Sequence, residues 1–255
     1  MRKVIKLPAP ELSQLKEVNI DLDMTGRHYA QIATSEGQVP EDVALSILKD
    51  LVDEDANKLT MAELRYLFML VKINSLENDY EVTVSCTHKK EGGGQCGCLN
   101  NLKVRLSDAD LNPTPKHYKV PEITFRTEET EKEYLIMPPT MDMESALYNW
   151  FLTMRNKSIE DLVDDKQTST DYTFIRGCMH LVDKKTNERL VQEFNDFEYV
   201  LKLLDINKYQ TIHKLYEKVL EVDGFGVQNK MYTLKCKECG GTLVFRLPLL
   251  NGLSD

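Results

Sequence analysis

The chain has 255 residues, 42% of them hydrophobic, and a net charge of −9. This length allows one large domain or two modest ones, each with a buried core. The acidic balance argues against a field that attracts nucleic acid or an anionic membrane surface, and without an apolar run of about 18 residues we expect no transmembrane helix.

The N-terminal part of the chain predicts strands followed by helices. Residues 3–23 alternate loosely in two apolar runs separated by prolines, which predicts two short strands. Residues 24–36 predict a short helix, and a clearer helix begins at Pro40, because proline is favoured at the first helical position. Thr60 and Glu63 have capping-box spacing, which predicts a further helix that starts there.

Two hairpins of the same design, far apart in the chain, carry five of the six cysteines. Each reads strand, cysteine, turn, cysteine, strand, and the strands alternate apolar and polar residues. We expect the N-terminus to lack a signal peptide and the protein to fold in a reducing cytoplasm, where close cysteine pairs indicate metal ligands. The hairpin cysteines are Cys86, Cys96 and Cys98 in the first hairpin and Cys236 and Cys239 in the second.

A Cys-x-x-Cys turn presents two thiolates on one side, and a second such turn completes a tetrahedral site. The first turn is irregular, because it is long and offers two candidates for its second ligand. Aligning the two hairpins pairs Cys98 with Cys239 and Leu102 with Leu243, whereas the shared Cys-Gly step pairs Cys96 with Cys239. The alignment favours Cys98. The predicted metal ligands are therefore Cys86, Cys98, Cys236 and Cys239, with Cys96 as the alternative to Cys98.

A site with four thiolates has no open position for water, so the predicted role of the metal is structural. Zinc is the expected ion, and iron also fits four thiolates. His88 is a less favoured ligand because of the long turn that carries it. Cys178 lies on an apolar helical stripe and is predicted to be a core residue without a metal role.

Between the hairpins, residues 107–121 are predicted to form a linker and residues 119–126 and 133–137 a strand pair. Residues 141–222 predict helices, because their apolar residues recur at helical spacing. Phe174, Cys178 and Leu181 mark the second of these helices, and Asn195 and Asn207 have the character of N-caps for the third and fourth.

These elements predict an α+β fold, in which a small zinc-ribbon-like β unit joins an N-terminal α/β part to a helical insertion. Residues 1–80 would form the N-terminal part, residues 81–140 and 226–255 the β unit, and residues 141–225 the insertion. A metal that clips residue 86 to residue 239 would close a very long loop and contribute folding energy directly.

The sequence contains no arrangement that we interpret as catalytic, so we expect no enzymatic activity. The five histidines do not pair with a serine or cysteine in a nucleophile motif, and the glycines before Gln95 do not form a phosphate loop. Basic residues flank the cysteines, as in zinc knuckles that bind nucleic acid. A zinc-ribbon regulator that binds nucleic acid is therefore the alternative function, although sparse aromatics and the acidic charge disfavour it.

The order of features resembles a known family. An opening that ends in Lys6-Leu7-Pro8 precedes helices, and the helix Ala62–Ser75 leads into the first cysteine strand. The chain closes with a strand, Cys236-x-x-Cys239-Gly, a second strand and a leucine-rich end. This pattern resembles the baseplate hub assembly proteins of T-even-type contractile-tailed bacteriophages.

The resemblance implies a phage tail protein that acts through protein–protein contacts. It would be a structural component of the baseplate hub or a factor that assembles the hub. Its implied partners are other tail and baseplate hub proteins, including the tape-measure protein, rather than nucleic acid or membrane. Its implied location is the host cytoplasm during assembly and then the tail and baseplate of the virion.

Overall fold

We describe a computed structural model of the chain. The structure describes residues 2–35, 38, 40–75, 79–89, 93–105, 111–112, 118–155, 166–192, 196–224, 226–227 and 232–245. Seven α-helices and small antiparallel sheets occur in these ranges, so the predicted α+β class is confirmed. Among the described helices, none combines the length and the apolar character that crossing a membrane would require.

The N-terminal body begins with a hairpin and continues as helices. Its elements are β1 (Arg2–Lys6), β2 (Glu17–Asp21), α1 (Gly26–Ala33), α2 (Pro40–Leu51), a 3-10 turn (Ala56–Lys58) and α3 (Met61–Ser75). At the start of α3, the Glu63 carboxylate accepts the Thr60 amide at 2.8 Å, and the Glu63 amide donates to the Thr60 hydroxyl at 3.3 Å. The predicted capping box is thus confirmed.

The next part of the chain is mostly strands. These are β3 (Asp79–Ser85), β4 (Leu99–Arg105), β5 (Leu111–Asn112), β6 (Glu122–Arg126) and β7 (Glu131–Ile136). β3 and β4 form the first cysteine hairpin, and β6 pairs with β7 as predicted. Of the predicted linker 107–121, residues 111–112 form β5, and residues 107–110 and 113–117 lie outside the described residues.

Four helices and four strands follow in the described part of the chain. They are α4 (Met141–Arg155), α5 (Lys166–Met179), β8 (Leu181–Asp183), α6 (Asp196–Ile206), α7 (Tyr209–Asp223), β9 (Gly226–Val227), β10 (Tyr232–Lys235) and β11 (Thr242–Phe245). β10 and β11 form the second cysteine hairpin. β9 pairs with β5, so the chain leaves for the helical region and returns from it at neighbouring points.

Two predictions in the helical region are wrong. Leu181 is not in a helix: it pairs with Ile136 as part of β8, which adds a third strand to the β6–β7 sheet. Asn207 is not an N-cap, because its side chain exchanges hydrogen bonds with the backbone of Arg126 at 3.1 and 2.9 Å, and Lys208 holds the N-cap position of α7. Asn195 lies outside the described residues.

Buried side chains form two large hydrophobic clusters and a small one. The first lies mainly in the N-terminal body, where it includes Phe68, and extends to Met141 of α4. The second joins helices α4 to α7 to the β6–β7–β8 sheet, through side chains such as Phe125 and Trp150. The third consists of Cys86, Cys96, Cys98, Cys236 and Leu243. The predicted domain division stays a prediction, and packing places β6 and β7 with the helices rather than with the cysteine hairpins.

The cysteine hairpins rest on the N-terminal body. Tyr232 and Phe245, at the end of the second hairpin away from its cysteines, stack with ring centroids 5.8 Å apart and pack against the first cluster. Val82 of the first hairpin belongs to the same cluster. This packing holds the two hairpins on one support and leaves their cysteine ends facing each other.

Candidate metal centre

Four cysteine side chains from the two hairpins meet at one point. The sulfur atoms of Cys86, Cys96, Cys236 and Cys239 all lie within 4.8 Å of one another. Each closest pair joins the two hairpins, since the sulfurs of Cys86 and Cys239 are 3.6 Å apart and those of Cys96 and Cys236 are 3.8 Å apart. Residues more than a hundred positions apart in the chain therefore build one cluster.

The cluster contains three of the four predicted ligands and the alternative to the fourth. Cys96, rather than Cys98, completes the group of four. The thiol of Cys98 instead points to the carbonyl oxygen of Leu99, 3.6 Å away. We therefore replace Cys98 by Cys96 in the ligand set that we propose below, and the set itself stays a prediction.

The two cysteine turns have the same backbone structure. In the first, the Cys86 amide donates to the Cys98 carbonyl and the Gly97 amide to the Cys86 carbonyl, both at 2.9 Å. In the second, the Cys236 amide donates to the Gly241 carbonyl and the Gly240 amide to the Cys236 carbonyl, again both at 2.9 Å. These bonds define matching positions in the two turns.

In each turn, a glycine in the left-handed region follows the second cysteine of the group of four. Gly97 has φ +67° after Cys96, and Gly240 has φ +68° after Cys239. Only glycine adopts this conformation without a steric penalty, so the Cys-Gly step is required by the geometry of the turn. The Cys-Gly similarity noted in the sequence thus marks the two cysteines that hold matching positions, Cys96 and Cys239.

The alignment that favoured Cys98 was two residues out of register. The structure matches Cys98 with Gly241 and Asn100 with Leu243, because Val84 pairs with Asn100 as Leu234 pairs with Leu243. Side chains on a strand alternate with a period of two, so a shift of two residues preserves the apolar pattern. Alternation therefore could not distinguish the two registers.

The long first turn closes before it reaches its second cysteine. Lys89 and Gln95 form an antiparallel bridge, and the Cys96 amide donates to the His88 carbonyl at 2.7 Å. This closure returns the backbone to Cys96 despite the extra residues. The turn can therefore be long without changing the positions of the two sulfur atoms.

His88 contacts both hairpins. Its Nδ1 lies 3.6 Å from the Cys86 sulfur. Its ring covers Gly241 so closely that a Cβ added there would lie 2.7 Å from the ring. The sequence offered His88 as a less favoured ligand, and its place in the structure is beside the four sulfurs and against the second turn.

The thiols of the cluster differ in acidity. Burial, together with the neighbouring thiols, raises the pKa of Cys86 to about 12. The Cys98 amide on its own would lower the pKa of Cys96, but burial and the Cys236 thiol together raise it. Backbone amides of Cys239 and Glu238 lower the pKa of Cys236 to about 6. Cys236 is thus the most acidic of these three thiols.

The cluster fits a tetrahedral metal ion. Zinc–thiolate bonds of about 2.3 Å place tetrahedral sulfurs about 3.8 Å apart. The two closest pairs, at 3.6 and 3.8 Å, already have this spacing, whereas a disulfide requires a separation of about 2.05 Å. All four cysteines are free thiols; Cys86, Cys96 and Cys236 are buried and Cys239 is exposed. The four sulfurs can therefore hold a metal with four ligands, at a site that reaches the surface on the side of Cys239.

Cys178 and His180 do not belong to this site. Cys178 is fully buried in the second hydrophobic cluster, as predicted for a core cysteine. His180 is also buried, with Nε2 3.1 Å from Asp223, which in turn bonds Arg176 at 2.7 Å. This network joins α5 to α7 inside the core and is consistent with a structural role.

Comparison with known proteins gives one family. Residues 23–251 match the family model described as T4 bacteriophage base plate protein. No curated protein and no solved structure matched the chain. The match covers about nine-tenths of the chain and agrees with the broader part of the predicted resemblance, a baseplate protein of a T4-type phage. The chain therefore belongs to the T4 bacteriophage base plate protein family.

Proposed function

We propose that this protein is a structural component of the phage baseplate hub, or a factor that assembles the hub, and that it acts through protein–protein contacts. The observation that carries the proposal is the family match over residues 23–251, which supports a structural role in the baseplate. The order of elements around the cysteine hairpins supports the narrower assignment to the hub.

We also propose that Cys86, Cys96, Cys236 and Cys239 bind one zinc ion. When bound, zinc supplies a cross-link between the two turns and folding free energy, with no open coordination position for a substrate. Zinc is preferred to iron because it needs no redox role in a closed structural site. The chain's own contribution is two preformed turns that present the sulfurs at metal-binding distances.

The cross-link would act where the chain enters and leaves the helical region. β5 precedes the segment from β6 to α7, which carries most of the second cluster, β9 follows that segment, and the two strands pair with each other. The metal would hold β3–β4 against β10–β11 immediately outside this pair. In this way the ion would fix both ends of the region that contains the second cluster and stabilise the surfaces offered to partners.

The expected partners are other baseplate and tail proteins, and the narrower proposal names hub proteins and the tape-measure protein. The family places the protein in the virion tail, and we propose that it is assembled there from the host cytoplasm. We propose no enzymatic activity, in keeping with a structural family.

Affinity purification from phage-infected cells tests the proposal. A tagged copy of the protein should recover hub proteins, and quantitative mass spectrometry of purified virions should show whether it remains in the tail. Hub proteins in the purified complexes would support the proposal. Recovery of only peripheral baseplate proteins would contradict the hub assignment while leaving the baseplate role in place.

The same preparation tests the alternative function. A regulator that binds nucleic acid would be retained on DNA at physiological ionic strength, and added salt would release it. We expect no such retention. Salt-dependent retention without recovery of tail proteins would favour the zinc-ribbon regulator over the baseplate hub.

A further inference from the structure

A buried amide side chain links the two cysteine turns. Asn100 lies on β4 of the first hairpin and is 3% exposed. Its Oδ1 accepts the backbone amide of Lys237, in the second turn, at 2.9 Å. Since an amide N–H can only donate, this contact determines which end of the Asn100 side chain is oxygen. The side chain therefore reaches from one hairpin into the backbone of the other.

The other end of the same side chain faces a sulfur atom of the cluster. Its Nδ2 donates to the Cys98 carbonyl at 2.9 Å and lies 3.7 Å from the Cys236 sulfur. An N–H directed at a thiolate stabilises the negative charge on sulfur and restricts its position. Asn100 thus contacts a proposed ligand and the residue that follows it.

The second hairpin has a leucine at the position that matches Asn100. Leu243 holds the equivalent position and is 4% exposed in the small cysteine cluster. A leucine is thus compatible with the position, and burying a polar amide there is costly unless it is hydrogen-bonded. In the first hairpin that cost is offset by the bonds to the Cys98 carbonyl, the Lys237 amide and the Cys236 sulfur, and by a longer one from Nδ2 to the Val84 carbonyl at 3.4 Å.

We propose that Asn100 is a positioning residue for the metal centre, which orients the second cysteine turn and donates a hydrogen bond to the Cys236 thiolate. The inference rests on the proposed metal site. Asn100 is not itself a ligand, because its nitrogen donates to sulfur and its oxygen is occupied by Lys237. Its action on the metal passes through Cys236.

The test compares Asn100→Leu with the full-length wild-type protein. Leucine reproduces the residue at the matching position, and it removes both contacts to the second turn. Zinc affinity is measured by competition with a chromophoric chelator, and the bond to sulfur is followed in the charge-transfer absorption of the Co²⁺-loaded protein. We expect zinc affinity to fall by about 10- to 100-fold. We also expect the charge-transfer band to move to lower energy, since a thiolate without its N–H donor is easier to oxidise.

Asn101→Leu is the matched control. Asn101 is the next residue of β4, points outward and bonds Thr83 at 3.1 Å on the exposed face. The same substitution there should leave both the affinity and the absorption band unchanged. Asn100→Asp provides a second variant of nearly the same size, should Asn100→Leu fail to fold. It keeps an oxygen for Lys237 but removes the N–H donor to the sulfur, so its charge-transfer band should move to lower energy as in Asn100→Leu.

The outcomes separate this inference from the metal site itself. If both Asn100 variants keep wild-type affinity and an unshifted cobalt band, Asn100 is only a structural residue and the inference is overturned. A loss of thermal stability without either change leads to the same conclusion. If wild-type protein binds no metal, the proposed site fails and this inference fails with it. Reduced affinity and a shifted band at Asn100 alone would support it.

Discussion

The two cysteine turns reach the same geometry from different sequences. Nine residues separate Cys86 from Cys96, whereas two separate Cys236 from Cys239. Both turns nevertheless have the same pair of 2.9 Å backbone bonds, and in both a glycine near φ +67° follows the second cysteine of the group of four. The geometry of the turn therefore does not depend on its length. It depends on the cysteine before the turn and on the Cys-Gly step after it.

The turns differ in what surrounds the sulfurs. The first contributes side chains to the second, because His88 covers Gly241 and Asn100 bonds Lys237. Its thiols have raised pKa values, whereas backbone amides of the second turn lower the pKa of Cys236. The second turn is thus the compact, more acidic half of the site, and the first is the half that encloses it.

The largest expected effect comes from removing one sulfur of either turn. Cys96→Ser and Cys239→Ser should each reduce metal content from about one ion per chain towards zero, because three thiolates no longer complete the shell. We expect thermal stability to fall by about 3 kcal/mol or more, which is roughly 6–12 °C for a chain of this size. Metal analysis and thermal unfolding are the measurements.

Cys98→Ser is the matched control for Cys96→Ser, two residues away in the same turn. It should keep the metal, because the Cys98 thiol faces the Leu99 carbonyl and lies outside the group of four. Loss of metal in Cys98→Ser with retention in Cys96→Ser would reverse the assignment and restore the ligand set first favoured by the sequence.

The difference in acidity predicts how metal affinity depends on pH. A metal binds thiolates, so each thiol that is still protonated must release a proton. The raised pKa values of Cys86 and Cys96 predict that both release a proton when metal binds near neutral pH, whereas the lowered pKa of Cys236 predicts that it does not. Two released protons correspond to a rise in affinity of about 100-fold per pH unit. Chelator competition at pH 6.5 and 7.5 measures the slope.

A slope near zero would contradict this prediction, since it would mean that no proton is released. The release of protons on metal binding also determines how the free energy of unfolding changes with pH. The contribution of the metal to folding should be largest at higher pH and should be lost as pH falls and protons replace the ion.

The shared glycines predict equal costs in the two turns. Gly97→Ala and Gly240→Ala each force a side chain into the left-handed region, at a cost of about 1–2 kcal/mol. Gly94→Ala is the control, because an added Cβ there meets nothing within 4 Å and the backbone has no positive φ. Thermal unfolding of the metal-loaded protein measures the loss of stability in each of the three variants. A large loss in only one of the first two would show that the turns are not equivalent.

The smallest expected effect tests how the first turn covers the second. Gly241→Ala places a Cβ against the His88 ring, 2.7 Å from its nearest atom. Because the ring can shift, the expected cost is about 1 kcal/mol or less. A double-mutant cycle with His88→Ala should remove most of that cost. Equal costs in the two backgrounds would show that His88 is not the obstacle.

The sequence predicted correctly those features whose interacting residues lie within a few positions of each other. The capping box of Thr60 and Glu63 forms as its spacing requires, because both partners belong to one helical turn. At Asn207 the same kind of reasoning was wrong. Arg126, 81 positions away, offers its backbone to that side chain, and a contact between distant elements cannot be read from the residues around Asn207.

The site was predictable in kind but not in register. Repeated hairpins and paired cysteines identified both turns, yet a shift of two residues leaves strand alternation unchanged. Only the left-handed glycines and the backbone bonds show that Cys96 matches Cys239. Asn100 was missed for the same reason. Its contrast with Leu243 becomes visible only in the correct register.

The central claim is that the two turns build one metal site with four sulfur ligands. X-ray absorption spectroscopy at the zinc edge, on the protein as purified, tests it most directly. The predicted result is one zinc per chain with four sulfur neighbours at about 2.3 Å and no nitrogen or oxygen neighbour. A protein without metal, or a first shell with fewer than four sulfurs, would contradict the claim.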